Sequence, residues 1–172
     1  MYLSDYFYTS VRYLACQGAI SGYAGGIFGP YYNATRGQIS KLVVLAGGWA
    51  IDTAGGPHFS DVLPTNPFYP YIETAFNHQL ITGYSDGTFR WGNEVSRGQL
   101  SKIIVLARQW DNQTTGGPHF SDVPTTDPFY AYIETADNHA VISGYADGTF
   151  KPGNNATRGQ IAKIIYLAVT SP

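Results

Sequence analysis

The sequence predicts a mainly α fold in which three helix-turn-helix units, related by pseudo-threefold symmetry, surround a central three-helix bundle. Two observations predict this class. The chain repeats itself at a spacing of 61 residues, as the positions of Arg36, Arg97 and Arg158 show. Each unit also carries an apolar stripe at helical spacing that one short unit cannot bury alone, so the three stripes are expected to pack together.

The repeat divides the chain into units of unequal completeness. The segment Gly-Gly-Pro-His-Phe-Ser-Asp-Val occupies residues 55–62 and again residues 116–123, and the second and third units align without a gap. The first unit follows the same frame but contains no counterpart of Phe-Ser-Asp-Val. We assign the units to residues 1–49, 55–110 and 116–172, with linkers at 50–54 and 111–115.

The first helix of each unit is predicted from apolar spacing. In the second unit Phe68, Ile72 and Ala75 fall on one helical face, and the pattern ends near Gln79. A turn is expected next, at residues 83–89, because Asp-Gly supplies the positive φ that a tight turn needs.

The second helix of each unit has a distinct start signal. Ser96 stands three residues before Gln99, the spacing of a capping box, and Thr35/Gln38 and Thr157/Gln160 repeat it. The apolar stripe follows each capping box. Its members are Ile39, Leu42, Val43 and Ala46, then Leu100, Ile103, Ile104 and Ala107, then Ile161, Ile164, Ile165 and Ala168.

Composition excludes several classes of function. Hydrophobic residues make up 44% of the chain, so a packed core is expected, and charged residues make up only 13%. A net charge of −2 gives no field that would attract nucleic acid. No stretch is apolar and long enough to span a membrane. Cys16 has no partner for an internal disulfide, so it is expected to be a buried thiol or an intermolecular link.

Catalytic and metal-binding motifs are missing from the sequence. The four histidines form two repeat pairs, His58/His119 and His78/His139, and neither pair has the spacing of metal ligands beside cysteine or carboxylate. No phosphate loop, nucleophile elbow or paired-carboxylate motif is present. We therefore expect no enzyme activity, no cofactor and no metal.

Three motifs recur in a fixed order within the units. They are Phe-Ser-Asp-Val, Gly-Tyr-x-Asp-Gly-Thr-Phe and Thr-Arg-Gly-Gln. This order resembles the S-layer homology domain family, as a tandem triplet that covers nearly the whole chain. The third motif departs from the family pattern Thr-Arg-Ala-Glu, because glycine and glutamine replace alanine and glutamate.

The resemblance implies a three-pronged assembly around the central bundle. It also implies non-covalent binding of secondary cell-wall polysaccharide, often bearing pyruvate ketals, in grooves between the prongs. The motif arginine is among the family's ligand contacts, which implies that role for Arg36, Arg97 and Arg158. The implied location is extracellular, in a bacterial cell wall or surface layer.

The chemistry of the third motif suits a carboxylate. A helix N-terminus offers free N–H donors to an anion, and arginine adds a planar fork that matches a carboxylate. Glycine removes the Cβ and allows a ligand to approach the backbone, so Gly37, Gly98 and Gly159 belong to the expected site. The alternative is structural: Arg97 could bind the carbonyls of the turn at residues 86–89.

Three further residues are candidates for sugar contact. Asp61 and Asp122 could accept hydrogen bonds from sugar hydroxyls, or could serve only as turn or cap residues. Trp91 stands where the other units have proline and could form a stacking surface in the second unit. The lysines Lys41, Lys102 and Lys163 recur five residues after each arginine, off its helical face, and are expected to be solvated.

Two functions remain open at this stage. The first is a non-catalytic anchoring module that binds anionic, pyruvylated cell-wall polysaccharide. The second is a structural protomer that assembles into a layer or filament through protein contacts. Either function is compatible with a homo-oligomer or with fusion into a larger surface protein.

Overall fold

Six α-helices form the fold. The structure, a computed structural model, describes residues 1–171, and within that range it contains no extended strand. A short 3₁₀ turn lies at Ala24–Gly26. The helices are α1 (Tyr8–Cys16), α2 (Arg36–Ala46), α3 (Tyr69–Asn77), α4 (Arg97–Ala107), α5 (Tyr130–Asn138) and α6 (Arg158–Thr170).

The three long helices begin at the predicted capping boxes. At the start of α2, Gln38 N donates to Thr35 Oγ1 over 3.3 Å, and Thr35 N donates to Gln38 Oε1 over 3.0 Å. Helices α4 and α6 start with the same reciprocal pair of hydrogen bonds. A capping residue of this kind contributes about 1 kcal/mol to helix stability. The prediction of the second helix in each unit is confirmed.

The packing of the helices crosses the boundaries of the repeats. Helix α2 packs against α3, α4 packs against α5, and α6 packs against α1. The second helix of each unit therefore pairs with the first helix of the following unit, and the third unit returns to the first. Helix α6 also contacts α2 and α4 at the centre, so the three long helices form the predicted bundle.

The apolar stripes supply the centre of the core. Ile39, Leu100 and Ile161 are each about 1% exposed, and they occupy the same position in α2, α4 and α6. Burying such a side chain is worth about 1.5–3 kcal/mol relative to leaving it in water. The bundle therefore depends on all three units at once, as the sequence predicts.

A ring of main-chain hydrogen bonds joins the amino ends of the three long helices. Val95 N donates to Ala34 O over 2.9 Å, Ala34 N donates to Ala156 O over 3.1 Å, and Ala156 N donates to Val95 O over 2.9 Å. The three bonds close a triangle around the pseudo-threefold axis. This triangle fixes the distance between the three Thr/Ser-Arg-Gly-Gln motifs.

Buried carboxylates anchor the segments that lead into the second and third units. Glu73 is fully buried and lies 2.5 Å from His58 Nδ1, and Glu134 is fully buried and lies 2.7 Å from His119 Nδ1. These histidines therefore have a structural partner. Cys16, by contrast, is exposed, so the interpretation of a buried thiol is wrong.

Candidate functional site

Each motif arginine reaches into the following unit. Arg36 Nε donates to Phe89 O over 2.8 Å, and Arg36 Nη2 donates to Thr82 O over 3.0 Å. The other two arginines repeat this pair of bonds. Arg97 donates to Phe150 O and Ser143 O over 2.7 and 3.0 Å, and Arg158 donates to Phe28 O and Ser21 O over 2.9 and 2.6 Å. Arginine therefore binds main-chain carbonyls, as the structural alternative supposed, but Arg97 binds those of the third unit and the carbonyl of Phe89 is bound by Arg36.

The guanidinium groups are largely enclosed by aromatic rings. Arg36, Arg97 and Arg158 are 8%, 6% and 9% exposed. Arg36 Cζ lies 4.2 Å from the centroid of the Phe89 ring and 5.2 Å from that of Tyr84. Desolvation by burial lowers the pKa of all three arginines, yet a guanidinium remains charged at neutral pH.

One edge of the guanidinium is left over in Arg36 and Arg97. In these two residues only Nε and Nη2 make hydrogen bonds to other residues within 1–171, whereas Arg158 also interacts with the side chain of Tyr23. Because Nε and one Nη2 hydrogen share the bonded edge, the edge formed by Nη1 and the second Nη2 hydrogen remains available. That edge offers two parallel N–H donors, the arrangement that a carboxylate accepts bidentately.

The amino ends of the helices are not open, contrary to the sequence prediction. At the start of α2, Arg36 N donates to Asn93 O over 2.8 Å and Gly37 N donates to Trp91 O over 2.9 Å. Helices α4 and α6 show the same two bonds. The next N–H of each helix is taken by its capping hydroxyl. The expectation of free N–H donors for an anion is therefore wrong.

The motif glycines face a phenyl ring. A Cβ on Gly37 would lie 2.8 Å from the ring of Phe68, and a Cβ on Gly98 would lie 2.6 Å from the ring of Phe129. Gly159 has the same relation to Phe7, at 2.9 Å. Glycine is needed here because the following unit packs a side chain on the helix backbone. The expectation that it admits a ligand to that backbone is wrong.

The aspartates and the tryptophan also have partners within the protein. The carboxylate of Asp61 accepts Phe89 N and Arg90 N, both over 2.7 Å, and Asp122 does the same for the third unit over 2.7 and 2.8 Å. Trp91 is half-buried, with its ring centroid 5.8 Å from that of Phe68. None of these three residues is among those that line the grooves described next.

Three grooves lie beside the arginines, at equivalent positions around the axis. We name them by their arginine. Each groove combines the arginine of one unit with a glutamine and a lysine from a different long helix. The Arg36 groove contains Gln99, Lys102 and Phe129; the Arg97 groove contains Gln160, Lys163 and Tyr6; the Arg158 groove contains Gln38, Lys41 and Phe68.

The lysines are the groove residues that the sequence interpretation left out. Lys102 lies off the helical face of Arg97, as the spacing indicates, but it lines the groove of Arg36. Within residues 1–171, none of the three groove arginines or groove lysines pairs with a carboxylate. Each groove thus presents two cations without a salt bridge, although the charge of Asp61 acts on Arg36 and that of Asp122 acts on Arg97 from a greater distance. The recurrence of lysine at the same position in all three units was the sequence signal that could have identified these lysines as groove residues.

The described residues hold no cluster of histidine, cysteine, aspartate or glutamate that could bind a metal ion. Across residues 1–171 we also find no helix with the length and apolar character needed to cross a membrane.

Comparison with known proteins identifies the family. The S-layer homology domain matches residues 3–39, 58–101 and 119–162. Relatives include Cell surface glycoprotein 1 of Acetivibrio thermocellus, 28% identical over 164 residues, which are 87% of this chain and 7% of that protein. The Cellulosome-anchoring protein of Acetivibrio thermocellus is 26% identical over 85% of this chain and 34% of its own length. The S-layer protein of Bacillus thuringiensis subsp. finitimus is 25% identical over 91% of this chain and 19% of its own length.

The chain therefore spans between 7% and 34% of the length of these relatives. Each of the three matched segments falls within one of the three repeated units. This chain belongs to the S-layer homology domain family.

Proposed function

We propose that this chain is a non-catalytic module that anchors a protein at the cell surface by binding an anionic cell-wall polysaccharide in its three grooves. The observation that carries the proposal is the pair of cations in each groove, an arginine and a lysine from different units, neither of which forms a salt bridge within residues 1–171. Opposite charge favours an anionic ligand, and the partly buried position weakens the screening of that attraction by salt.

A carboxylate held on a sugar ring fits the remaining guanidinium edge. Two parallel N–H donors recognise a carboxylate in one plane, which gives direction as well as charge. A pyruvate ketal fixes such a carboxylate on the sugar and leaves the other hydroxyls free. Gln38, Gln99 and Gln160 line the same grooves and supply a neutral polar surface for those hydroxyls.

The relatives support a location outside the cell. Their names describe a surface-layer protein, a cell-surface glycoprotein and an anchoring protein. In our proposal the module has the same location, in the cell wall or surface layer, and it serves as the anchoring part of a larger surface protein.

Assembly into a layer is the second candidate function. The first unit exposes several large side chains, among them Tyr2 at 77% and Leu3 at 81%. Exposed apolar side chains gathered in one unit favour contact with another protein surface. Concentration-dependent light scattering in the absence of any saccharide would support this candidate.

The lysines allow a test that leaves the fold intact. Replacing Lys41, Lys102 and Lys163 together by Met removes one cation from every groove but does not touch the hydrogen bonds of the arginines. We expect retention on purified cell-wall sacculi to fall at least about tenfold, because each groove loses half of its charge. Sedimentation of the protein with sacculi measures this effect.

Two controls complete the experiment. Arg12→Met removes an exposed cation that lies outside the three grooves, and it should leave retention unchanged. Sacculi stripped of their secondary polysaccharide by acid should retain neither the natural protein nor the Arg12→Met variant. Equal retention on intact and stripped sacculi would refute the proposed function.

A further inference from the structure

The three grooves differ in size although they arise from one repeated motif. The cavity in the Arg97 groove has a volume of about 350 Å³, compared with about 190 Å³ for the Arg158 groove and about 170 Å³ for the Arg36 groove. Pockets that enclose a small ligand usually measure about 300–1,000 Å³. Only the Arg97 groove reaches that range.

A tyrosine contributed by the first unit makes the Arg97 groove different in chemistry as well. Tyr6 lines this groove, whereas the equivalent positions in the second and third units are Pro67 and Pro128. Neither proline lines a groove. The drift of the first unit has thus placed an exposed tyrosine in the Arg97 groove, at a position where the other two grooves have only the neighbouring phenylalanine, Phe129 or Phe68.

The position of Tyr6 follows from the packing of its neighbour. Phe7 is 1% exposed and lies against the backbone of Gly159, so the residue before it is held at the edge of the groove. The rings of Tyr6 and Phe7 meet edge to face with centroids 4.9 Å apart. Tyr6 itself remains 52% exposed. A fixed ring with a solvent-accessible surface is suited to stacking.

The charged groups of the groove surround this ring. Lys163 Nζ lies 5.8 Å from the centroid of Tyr6, and Arg97 lines the same cavity. Tyr145 lines the cavity too, and its ring centroid lies 5.0 Å from Arg97 Cζ. The Tyr6 phenol is protonated at neutral pH and interacts with the side chain of Thr157, and burial raises its pKa further.

We propose that the Arg97 groove is the principal saccharide site of the module and that Tyr6 is the residue that sets it above the other two. This inference rests on the proposed function and adds a ranking of the grooves to it. A sugar ring has apolar C–H faces, which pack on an aromatic ring while its substituents point outward. A carboxylate on that sugar can then reach Arg97 or Lys163 without losing the stacking contact.

The test uses a defined probe, the methyl glycoside of a 4,6-O-pyruvylated hexose, added to ¹⁵N-labelled protein. Amide signals of residues 143–145, 82 and 21–23 report on the Arg97, Arg36 and Arg158 grooves respectively. We expect the signals of residues 143–145 to shift at a probe concentration about tenfold lower than the others, since one aromatic contact is worth up to about a factor of ten in affinity. The 4,6-O-isopropylidene analogue lacks the carboxylate and should shift none of them at that concentration.

Matched variants isolate the contribution of the ring. Tyr6→Ser should weaken the Arg97 groove about tenfold and bring it level with the other two, whereas Tyr6→Phe should stay within about twofold of the natural protein. Pro128→Tyr places a ring beside the Arg36 groove and should strengthen binding there. Thermal melting of each variant shows whether the fold is retained.

The ranking and the proposed function fail in different ways. If the three groups of signals shift together, or if Tyr6→Ser leaves the titration of residues 143–145 unchanged, the ranking is overturned while saccharide binding stands. If no signal responds to the probe and intact sacculi retain no protein, the proposed function itself is refuted.

Discussion

The turns of the first and second units both accept hydrogen bonds from an arginine of the preceding unit in the ring, but they differ in what packs on them. We call the Phe-Ser-Asp-Val segment that packs on a turn its cover. In the second unit, Phe59 packs on the turn with its ring centroid 5.2 Å from that of Phe89, and Asp61 accepts two N–H groups of the turn. Phe89 is 1% exposed as a result. In the first unit, within residues 1–171, nothing takes the place of Phe59 and Asp61. Phe28, the counterpart of Phe89, is only partly buried.

The arginine contact is nevertheless the same in both units. Arg158 holds the uncovered turn of the first unit through Ser21 O and Phe28 O, as Arg36 holds the covered turn of the second. The difference shows that the arginine contact forms independently of the Phe-Ser-Asp-Val cover. The arginines join neighbouring units and shape the grooves, whereas the cover stabilises a turn within its own unit.

The largest expected effect is the difference in free energy of unfolding between the variants Phe89→Ala and Phe28→Ala. Truncating a fully buried phenylalanine costs about 3–5 kcal/mol, because the lost contacts leave a cavity. Phe28 has fewer contacts to lose, so its truncation should cost about half as much. Urea unfolding of both variants measures the two losses in free energy of unfolding. Equal losses would show that the cover over the second turn contributes nothing to the burial of Phe89.

The next prediction adds the missing Phe-Ser-Asp segment to the first unit, so that its turn can be compared directly with the turn of the second unit. Adding Phe-Ser-Asp directly before Met1 would place a phenylalanine and a carboxylate in the register that Phe59 and Asp61 hold in the second unit. We expect a gain of about 2–3 kcal/mol, the value of burying one aromatic side chain. Thermal melting measures the gain, and Ala-Ser-Ala as the added segment is the control. A gain of the same size with the control would contradict the argument.

A smaller loss is expected for Asp61→Ala. The substitution leaves Phe89 N and Arg90 N without their acceptor, which costs about 1–3 kcal/mol. Amide hydrogen exchange should speed up at these two positions and approach the rate at Phe28 and Gly29, which have no acceptor within residues 1–171. Unchanged protection at Phe89 would show that another group holds the turn.

The smallest expected effect is the protonation of the turn aspartates at acidic pH. The hydrogen bonds from Thr149 and Lys151 lower the pKa of Asp147 to about 2, and hydrogen bonds from Thr88 and Arg90 lower that of Asp86 further. A depressed pKa means that the contribution of the carboxylate is complete above about pH 4 and is lost as the pH falls through about 2. The amide signal of Thr149 should therefore titrate near pH 2. The first unit has Gly25 at this position, so the amide of Ile27 should not follow it.

Much of the local structure could be predicted from the sequence. The capping boxes at Thr35, Ser96 and Thr157 fixed the starts of the three long helices, because that motif works through hydrogen bonds within four residues. The apolar stripes predicted the bundle because the second helix of each unit has an apolar face that the short unit cannot bury alone. These features depend on neighbours in the sequence, and a single chain displays them directly.

The candidate site was harder to predict, since its parts come from different units. Gly98 suggested an open backbone, but the tertiary structure places Phe129 there. Lys102 seemed remote from the site because its own helix carries Arg97 on another face. It lines a groove only because α4 also borders the turn that Arg36 holds.

By itself, the sequence determined the family, the number of units, the starts of the three long helices and the apolar stripes of the central bundle. The tertiary structure alone decided which arginine meets which turn, which lysine shares its groove and why the motif glycine is required. The physical reason is that helix caps and stripes are set by local spacing, whereas the grooves exist only after the third unit has packed against the first.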